Sequence, residues 1–364
     1  MANPILEVQK YGQSIWYDNV QRGMLVSGEM QDLIAAGVMG VTSNPTIFEK
    51  AIFGSRDYDN DLLRLIWQGL NATAIYEALA LEDIRQTADL LHPVYASTTG
   101  RDGYVSLEVQ PDLAHDTQGT IAEARRLFAA LERPNVMIKV PATPEGVPAI
   151  EALIAEGVNI NVTLIFSLIH YQAVAQAYLR GLERRVAAGQ PLDQVASVAS
   201  FFVSRLDTAV DRELERLGAA ELMGKIAIAN ARVAYTRFCN IFSGSRWQAL
   251  SEQGAHPQRP LWASTGTKNP AYSDTLYVDN LIGPHTVNTV PPAALQAFRE
   301  HGRLASTLEA GLDEARQDLK RLAELGLDLD DITQKLQDDG VKSFASSYHA
   351  LIASIEAKIN QIKT

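Results

Sequence analysis

The sequence predicts an α/β protein: a closed (β/α)8 TIM barrel followed by additional C-terminal helices. Three observations carry that expectation. Eight short β-rich runs alternate with longer stretches of helical periodicity. Polar residues within those runs fall near their C-terminal ends. Beyond residue 290 the chain carries helical patterns alone. Strand–helix alternation implies parallel strands joined by crossovers, and eight such units suit a closed barrel. An open doubly wound sheet is the structural alternative.

Taken in chain order, the expected strands are residues 14–19, 38–43, 104–109, 136–142, 160–165, 195–202, 261–265 and 286–290. Between them, residues 30–36, 74–92, 120–131, 147–156, 169–188, 207–217 and 226–250 place apolar side chains at helical spacing. In the tail, residues 304–325 and 332–358 are amphipathic, with Glu, Lys and Gln on the polar faces. Residues 328–331 form a capped start for the last helix. No Pro/Gly/Ser-rich linker separates the two parts. The expectation is one domain over residues 1–364, with the barrel over about 10–303 and a helical extension over about 304–364. The tail is read as packing on the barrel's outside or base, with a subunit contact or a lid over the mouth as its other roles.

Composition narrows the function. The 364 residues are 46% hydrophobic and 21% charged, enough for a sizeable core. A net charge of -11 offers no basic footprint to nucleic acid or an anionic membrane. Cys239 stands alone, which excludes an intrachain disulfide and a CxxC motif. The first residues show no basic stretch followed by an apolar core. No run reaches the roughly 18 apolar residues that span a bilayer. The reading is a cytoplasmic protein. Its oligomeric state is left open between monomer and homodimer.

Residues two apart in a strand share a face. Trp16 pairs in this way with Asp18, Thr42 with Asn44, Ser106 with Glu108 and Met137 with Lys139. Asn161 pairs with Thr163, Ser200 with Phe202 and Trp262 with Ser264. If those faces point inward, seven strands deliver polar groups to the C-terminal mouth, where barrel enzymes keep their active sites. Any one of these residues alone reads equally as a barrel-end group bonded to a loop.

Lys139 lies in VMIKVPA, with one charge in an apolar run. Such a charge is costly unless it is paired or used chemically. A neutral amine there can attack a ketone and form an imine, and the protonated imine stabilises the carbanion left when the adjacent C–C bond breaks. The alternative is an ion pair with Glu108 or Asp18. Those two strand-end carboxylates are also the groups available for proton transfer. Thr163 and Ser200 suit the positioning of water or substrate hydroxyls. Asn44 and Asn161 suit a polyol, because an amide both donates and accepts. Arg205 and Lys268 follow strands six and seven and are the cations for a phosphate, although spacing alone reads both as surface charges.

These segments resemble the transaldolases. GVTSNPTIF (residues 40–48) and VMIKVPATPEGVPAIEAL (residues 136–153) are similar to that family's two long signatures. VSLEV, NINVTLIFS, SFFVSRLD and WASTGTKNP resemble its other strand ends, in order. The length, GTKNP and YVDNLIGPHTVNTVP resemble the longer bacterial subfamily. The resemblance implies sugar-phosphate substrates, no cofactor, and Lys139 as the Schiff-base lysine. It implies that Glu108 acts through a bound water, Asp18 carries the proton of C–C cleavage and Thr163 holds the catalytic water. Asn44, Asn161 and Ser200 would bind the dihydroxyacetone part, and Arg205 the phosphate. Thr42, Phe202 and Ser264 would line the same site. Shorter transaldolases carry Ser-Phe-Arg after strand seven. Here the segment runs from Ser264 to Lys268 with two residues inserted, so Lys268 stands in for that Arg.

Two rival readings remain. Small aldolases that resemble this family release free dihydroxyacetone. They are shorter and carry Tyr where Phe202 stands, so length and Phe202 favour transfer. A catalytically dead barrel that only binds sugar phosphate would need loss of the lysine or its carboxylates, and all three are present. There is no GxGxxG after a strand and no P-loop spacing around Lys268. The seven histidines lack metal-ligand spacing, and His285, at the start of the last strand, reads as core or loop packing, with a place bordering the site as its alternative.

Overall fold

The computed structural model describes residues 3–363. β-branched and aliphatic residues fill the strands so densely that every residue of β4 (Val136–Pro141), β5 (Ile160–Ile165) and β6 (Ser197–Phe202) is buried. Such burial on both faces requires a layer on each side. The strands β1 (Gln13–Tyr17), β2 (Gly40–Thr42), β3 (Tyr104–Glu108), β4, β5, β6, β7 (Arg259–Ala263) and β8 (Thr286–Val290) close into one barrel in sequence order. All eight pairings are parallel, and β1 closes on β8. The expected (β/α)8 barrel with C-terminal helices is therefore the fold.

The barrel interior is plugged by Trp16, Tyr104, Met137, Val198, Leu261 and Val287. Below them, Arg259 pairs with Asp102 at 2.9 Å, and Asp102 also accepts from Ser14 and the Trp16 indole. Both charges are buried, and each has its partner in place. His285 lies at this lower end with Arg101 and His256, away from the mouth. A second, larger apolar layer lies between the strands and the surrounding helices.

Several boundaries differ from expectation. The helix expected over 74–92 spans Ala72–Ser97 and runs through Pro93. Its last turn is held by packing, with Tyr95 edge-on to Tyr104 at 5.4 Å. The helix expected over 226–250 is two, Ile226–Ile241 and Ser245–Ser251, with Gly244 between them as the N-cap. That break turns Trp247 onto Phe242 at 4.9 Å. Residues 304–311 are not helical; the helix starts at Leu312. Thr307 and Leu308 instead donate their amides to Ile282, and the Thr307 hydroxyl donates to the Asp279 carbonyl. The helices Pro45–Gly54 and Asp59–Trp67 were not expected; Asn44 caps the first.

The last helix, Leu329–Lys363, starts where Asp328 accepts from the amides of Asp330 and Asp331. It packs across the mouth rather than against the base. Gln337, buried, donates to the carbonyls of Ala142 and Leu164 at 3.0 Å each. Phe344 joins the apolar cluster of the barrel interior.

Candidate active site

Alternation along the strands brings polar side chains to one cavity of about 120 Å³ at the C-terminal mouth. Asp18, Thr42, Asn44, Lys139, Thr163 and Ser200 line it from the first six strands and the residues just beyond them, excepting β3. Phe202, Arg205, Ser264 and Lys268 of the expected set line it too, whereas Glu108 and Asn161 do not. A wider groove of about 1000 Å³ runs between outer helices from Arg22 to Gln86, and no strand residue lines it. Strand-end chemistry, not size, marks the smaller cavity as the site.

Lys139 sits on β4 in register with Glu108 on one side and Asn161 on the other. Its amine donates to the Ser43 carbonyl at 3.0 Å and lies 3.6 Å from Glu108 Oε2. Burial pushes the Glu108 carboxyl above its ordinary range, while the Lys139 and Arg205 charges pull it back. Glu108 Oε2 has no hydrogen-bond partner, and the buried Thr163 hydroxyl also lacks one. Buried polar atoms left open in this way are expected where a water or substrate docks. Glu108 faces a separate small cavity with Tyr76 and Tyr348, so the Lys139–Glu108 pair stands between two spaces.

Asp18 is likewise raised by burial, offset first by the Thr42 hydroxyl, which donates to it at 2.7 Å, and then by the charges of Lys139, Arg205 and Lys268. Asn44 spends its side-chain oxygen on the Ile47 amide as a helix cap, leaving its NH2 group for the cavity. Asn161 lies beneath the cavity rather than on its wall. It donates to Ser106 at 3.0 Å and accepts from Ser200 at 2.6 Å, so it orients Ser200. The Arg205 guanidinium lies 5.3 Å from the Phe202 ring and 5.6 Å from the Phe344 ring.

The alternation fails on β7. Leu261 and Ala263 point inward, and Trp262 faces the outer layer, edge-on to Phe201 at 6.0 Å. Ser264 reaches the cavity because its backbone is left-handed, with φ 57°, and its hydroxyl meets that of Ser204 at 2.9 Å. Five lining residues escaped the sequence reading: Ala263, Gly266, Thr289, Pro291 and Phe344. Thr289 was legible, since it shares a face with Val287 on β8. Phe344 comes from the far end of the chain and carries no local signal.

The sequence matches the family described as Transaldolase/Fructose-6-phosphate aldolase over residues 15–355. The chain belongs to the transaldolase/fructose-6-phosphate aldolase family. A transaldolase of Thiobacillus denitrificans is 50% identical over 353 residues, which cover 96% of this chain and 98% of that one. A transaldolase of Thermobifida fusca is 47% identical, covering 99% of each chain. A transaldolase 2 of a Nostoc species is 46% identical, covering 98% of each. The cavity of this transaldolase-family barrel shows no cluster of His, Cys, Asp or Glu arranged for a metal among the described residues. None of its described helices is long and apolar enough to cross a membrane.

Proposed function

We propose that the protein is a cytoplasmic transaldolase of the pentose phosphate pathway. It moves a dihydroxyacetone unit from a ketose phosphate (sedoheptulose 7-phosphate or fructose 6-phosphate) to an aldose phosphate (glyceraldehyde 3-phosphate or erythrose 4-phosphate) through an imine on Lys139. The observation that carries this reading is a buried amine at the barrel mouth, 3.6 Å from Glu108 and sharing its cavity with Asp18.

In this mechanism Lys139 attacks the ketose carbonyl. The carbinolamine loses water, with Glu108 relaying protons through a water held at Thr163. Asp18 then removes the proton of the hydroxyl on the carbon at the far end of the breaking C–C bond, which becomes the aldehyde carbon of the departing aldose. The C–C electron pair moves into the iminium as an enamine, and the first aldose departs. A second aldose accepts that carbon, Asp18 returns the proton, and water releases the new ketose. Asn44 and Ser200 hold the dihydroxyacetone hydroxyls, while Arg205 and Lys268 hold the phosphate. Partners of the chain are its small sugar phosphates.

Intact mass after incubation with fructose 6-phosphate and borohydride tests the core of the reading. Wild type gains a dihydroxyacetone-sized adduct mapped to Lys139, and Lys139→Ala gains none. Absence of an adduct on wild type that binds the sugar phosphate refutes the imine. Cleavage as fast without an acceptor aldehyde as with one would make the protein an aldolase instead.

A further inference from the structure

Among the cations lining the mouth, Lys139 stands on a strand and Arg205 on the first turn of the helix Ser204–Leu217. Lys268 stands on a loop, the stretch from Ser264 to Thr275 between β7 and the helix Leu276–Asn280. A flexible side chain on a loop is a poor phosphate ligand unless the loop is held, because ordering it at binding costs affinity.

The loop is pinned on both sides of Lys268. Before it, the buried Thr265 hydroxyl donates to Asn288 Oδ1 at 2.9 Å. After it, the Tyr272 amide donates to the Asn269 carbonyl at 3.1 Å, closing a turn that starts next to Lys268. The Tyr272 hydroxyl donates to Asp211 Oδ2 at 2.6 Å. The other Asp211 oxygen accepts from the Gly224 amide at 3.0 Å. Gly224 has φ 72°, and a Cβ there would stand 3.0 Å from the Tyr272 ring, so only glycine admits this contact without displacement. Asp211 lies on the same helix as Arg205. One helix thus carries one cation directly and fixes the other through a tyrosine.

Lys268 also borders a second cavity, of about 250 Å³, walled by Asp207, Asp211, Arg212, Tyr272 and Tyr277. Glu215 also lines this cavity, as an exposed residue, so a lysine between a phosphate site and three carboxylates has two places to go. The Tyr272 hydroxyl occupies one Asp211 oxygen and the Tyr277 hydroxyl one Asp207 oxygen, which makes the two buried carboxylates weaker competitors.

We propose that Tyr272 and Asp211 are positioning residues that hold the loop so that Lys268 faces the mouth and selects phosphorylated substrates. This rests on the assignment of Lys268 to phosphate under the proposed function. In Tyr272→Phe the loop loses its anchor and Asp211 gains an unpaired oxygen that draws Lys268 away.

The test is a double-mutant cycle in the full-length protein, with fructose 6-phosphate as donor and erythrose 4-phosphate as acceptor. Tyr272→Phe raises KM for the phosphorylated donor about fivefold, with kcat within about twofold of wild type. On a Lys268→Ala background it adds nothing further. Gly224→Ala, which displaces the ring and keeps the hydroxyl, raises KM in the same direction. A KM unmoved by Tyr272→Phe overturns the proposal, as does a rise that is fully additive with Lys268→Ala. Borohydride trapping of dihydroxyacetone on Lys139 in the same variants keeps the two readings apart. Loss of trapping in wild type defeats the imine mechanism, whereas intact trapping with additive KM effects defeats only the latch.

Discussion

The ring of Phe344, carried by the last helix, lies 5.6 Å from the guanidinium of Arg205, which the Phe202 ring meets at 5.3 Å. A cation between two aromatic faces is oriented as well as attracted, and it keeps its charge free for an anion. No carboxylate forms an ion pair with Arg205 among the described residues. Phe344→Ala is expected to raise KM for fructose 6-phosphate about threefold through lost orientation. Binding of unphosphorylated dihydroxyacetone, followed by borohydride trapping, should be unaffected. Equal losses for both ligands would mean that Phe344 shapes the whole mouth.

The acid limb of activity follows from the two raised carboxyls. Asp18 acts in its ionised form and its folded pKa is raised by burial, so kcat should fall with decreasing pH at values above the ordinary carboxylate range. Lys268 is among the charges holding Asp18 down. Lys268→Gln should therefore move the acid limb of the kcat profile to higher pH. An unmoved or lower limb would remove Asp18 from that role.

Asp207 gives a separate stability signature. It accepts from the Ala227 amide at 2.7 Å and the Tyr277 hydroxyl at 2.9 Å, yet burial pushes it up to about 7, helped by the nearby charge of Asp211. A carboxyl raised in the fold favours the folded state fully below its unfolded value of about 3.8. That contribution is lost as pH rises toward 7. Urea unfolding across pH 4 to 7 should thus show wild type losing stability relative to Asp207→Asn. Parallel curves would exclude the linkage.

Gln337 ties the last helix to the strand ends. Its amide satisfies the carbonyls of Ala142 and Leu164, and Leu164 itself has φ 58° at the irregular register between β5 and β6. Gln337→Ala leaves both carbonyls short of a donor and opens a small void. The expected cost is roughly 2 kcal/mol in chemical unfolding. Its Michaelis constants should also rise if the helix shifts over the mouth. A loss below about 0.5 kcal/mol would show that the helix is held by its apolar contacts instead.

The alternation of side chains along six of the strands was legible because a strand's period is fixed by its backbone geometry. It placed Asp18, Thr42, Lys139, Thr163 and Ser200 on one face without reference to anything distant. It could not place Ser264, whose left-handed backbone breaks the period, nor see that Asn161 is spent on Ser106 and Ser200. Helix ends behaved similarly. Caps such as Asp328 are local and readable, whereas the run through Pro93 depends on Tyr95 meeting Tyr104.

The sequence by itself determined the eight strands and the inward-facing polar residues of six of them, because each depends on periodicity within a few neighbours. Only the tertiary structure decided that the C-terminal helix crosses the mouth, that Phe344 meets Arg205 and that Tyr272 reaches Asp211. These contacts join segments far apart in the chain. The free energy that selects them comes from burial and pairing between surfaces that no local pattern records.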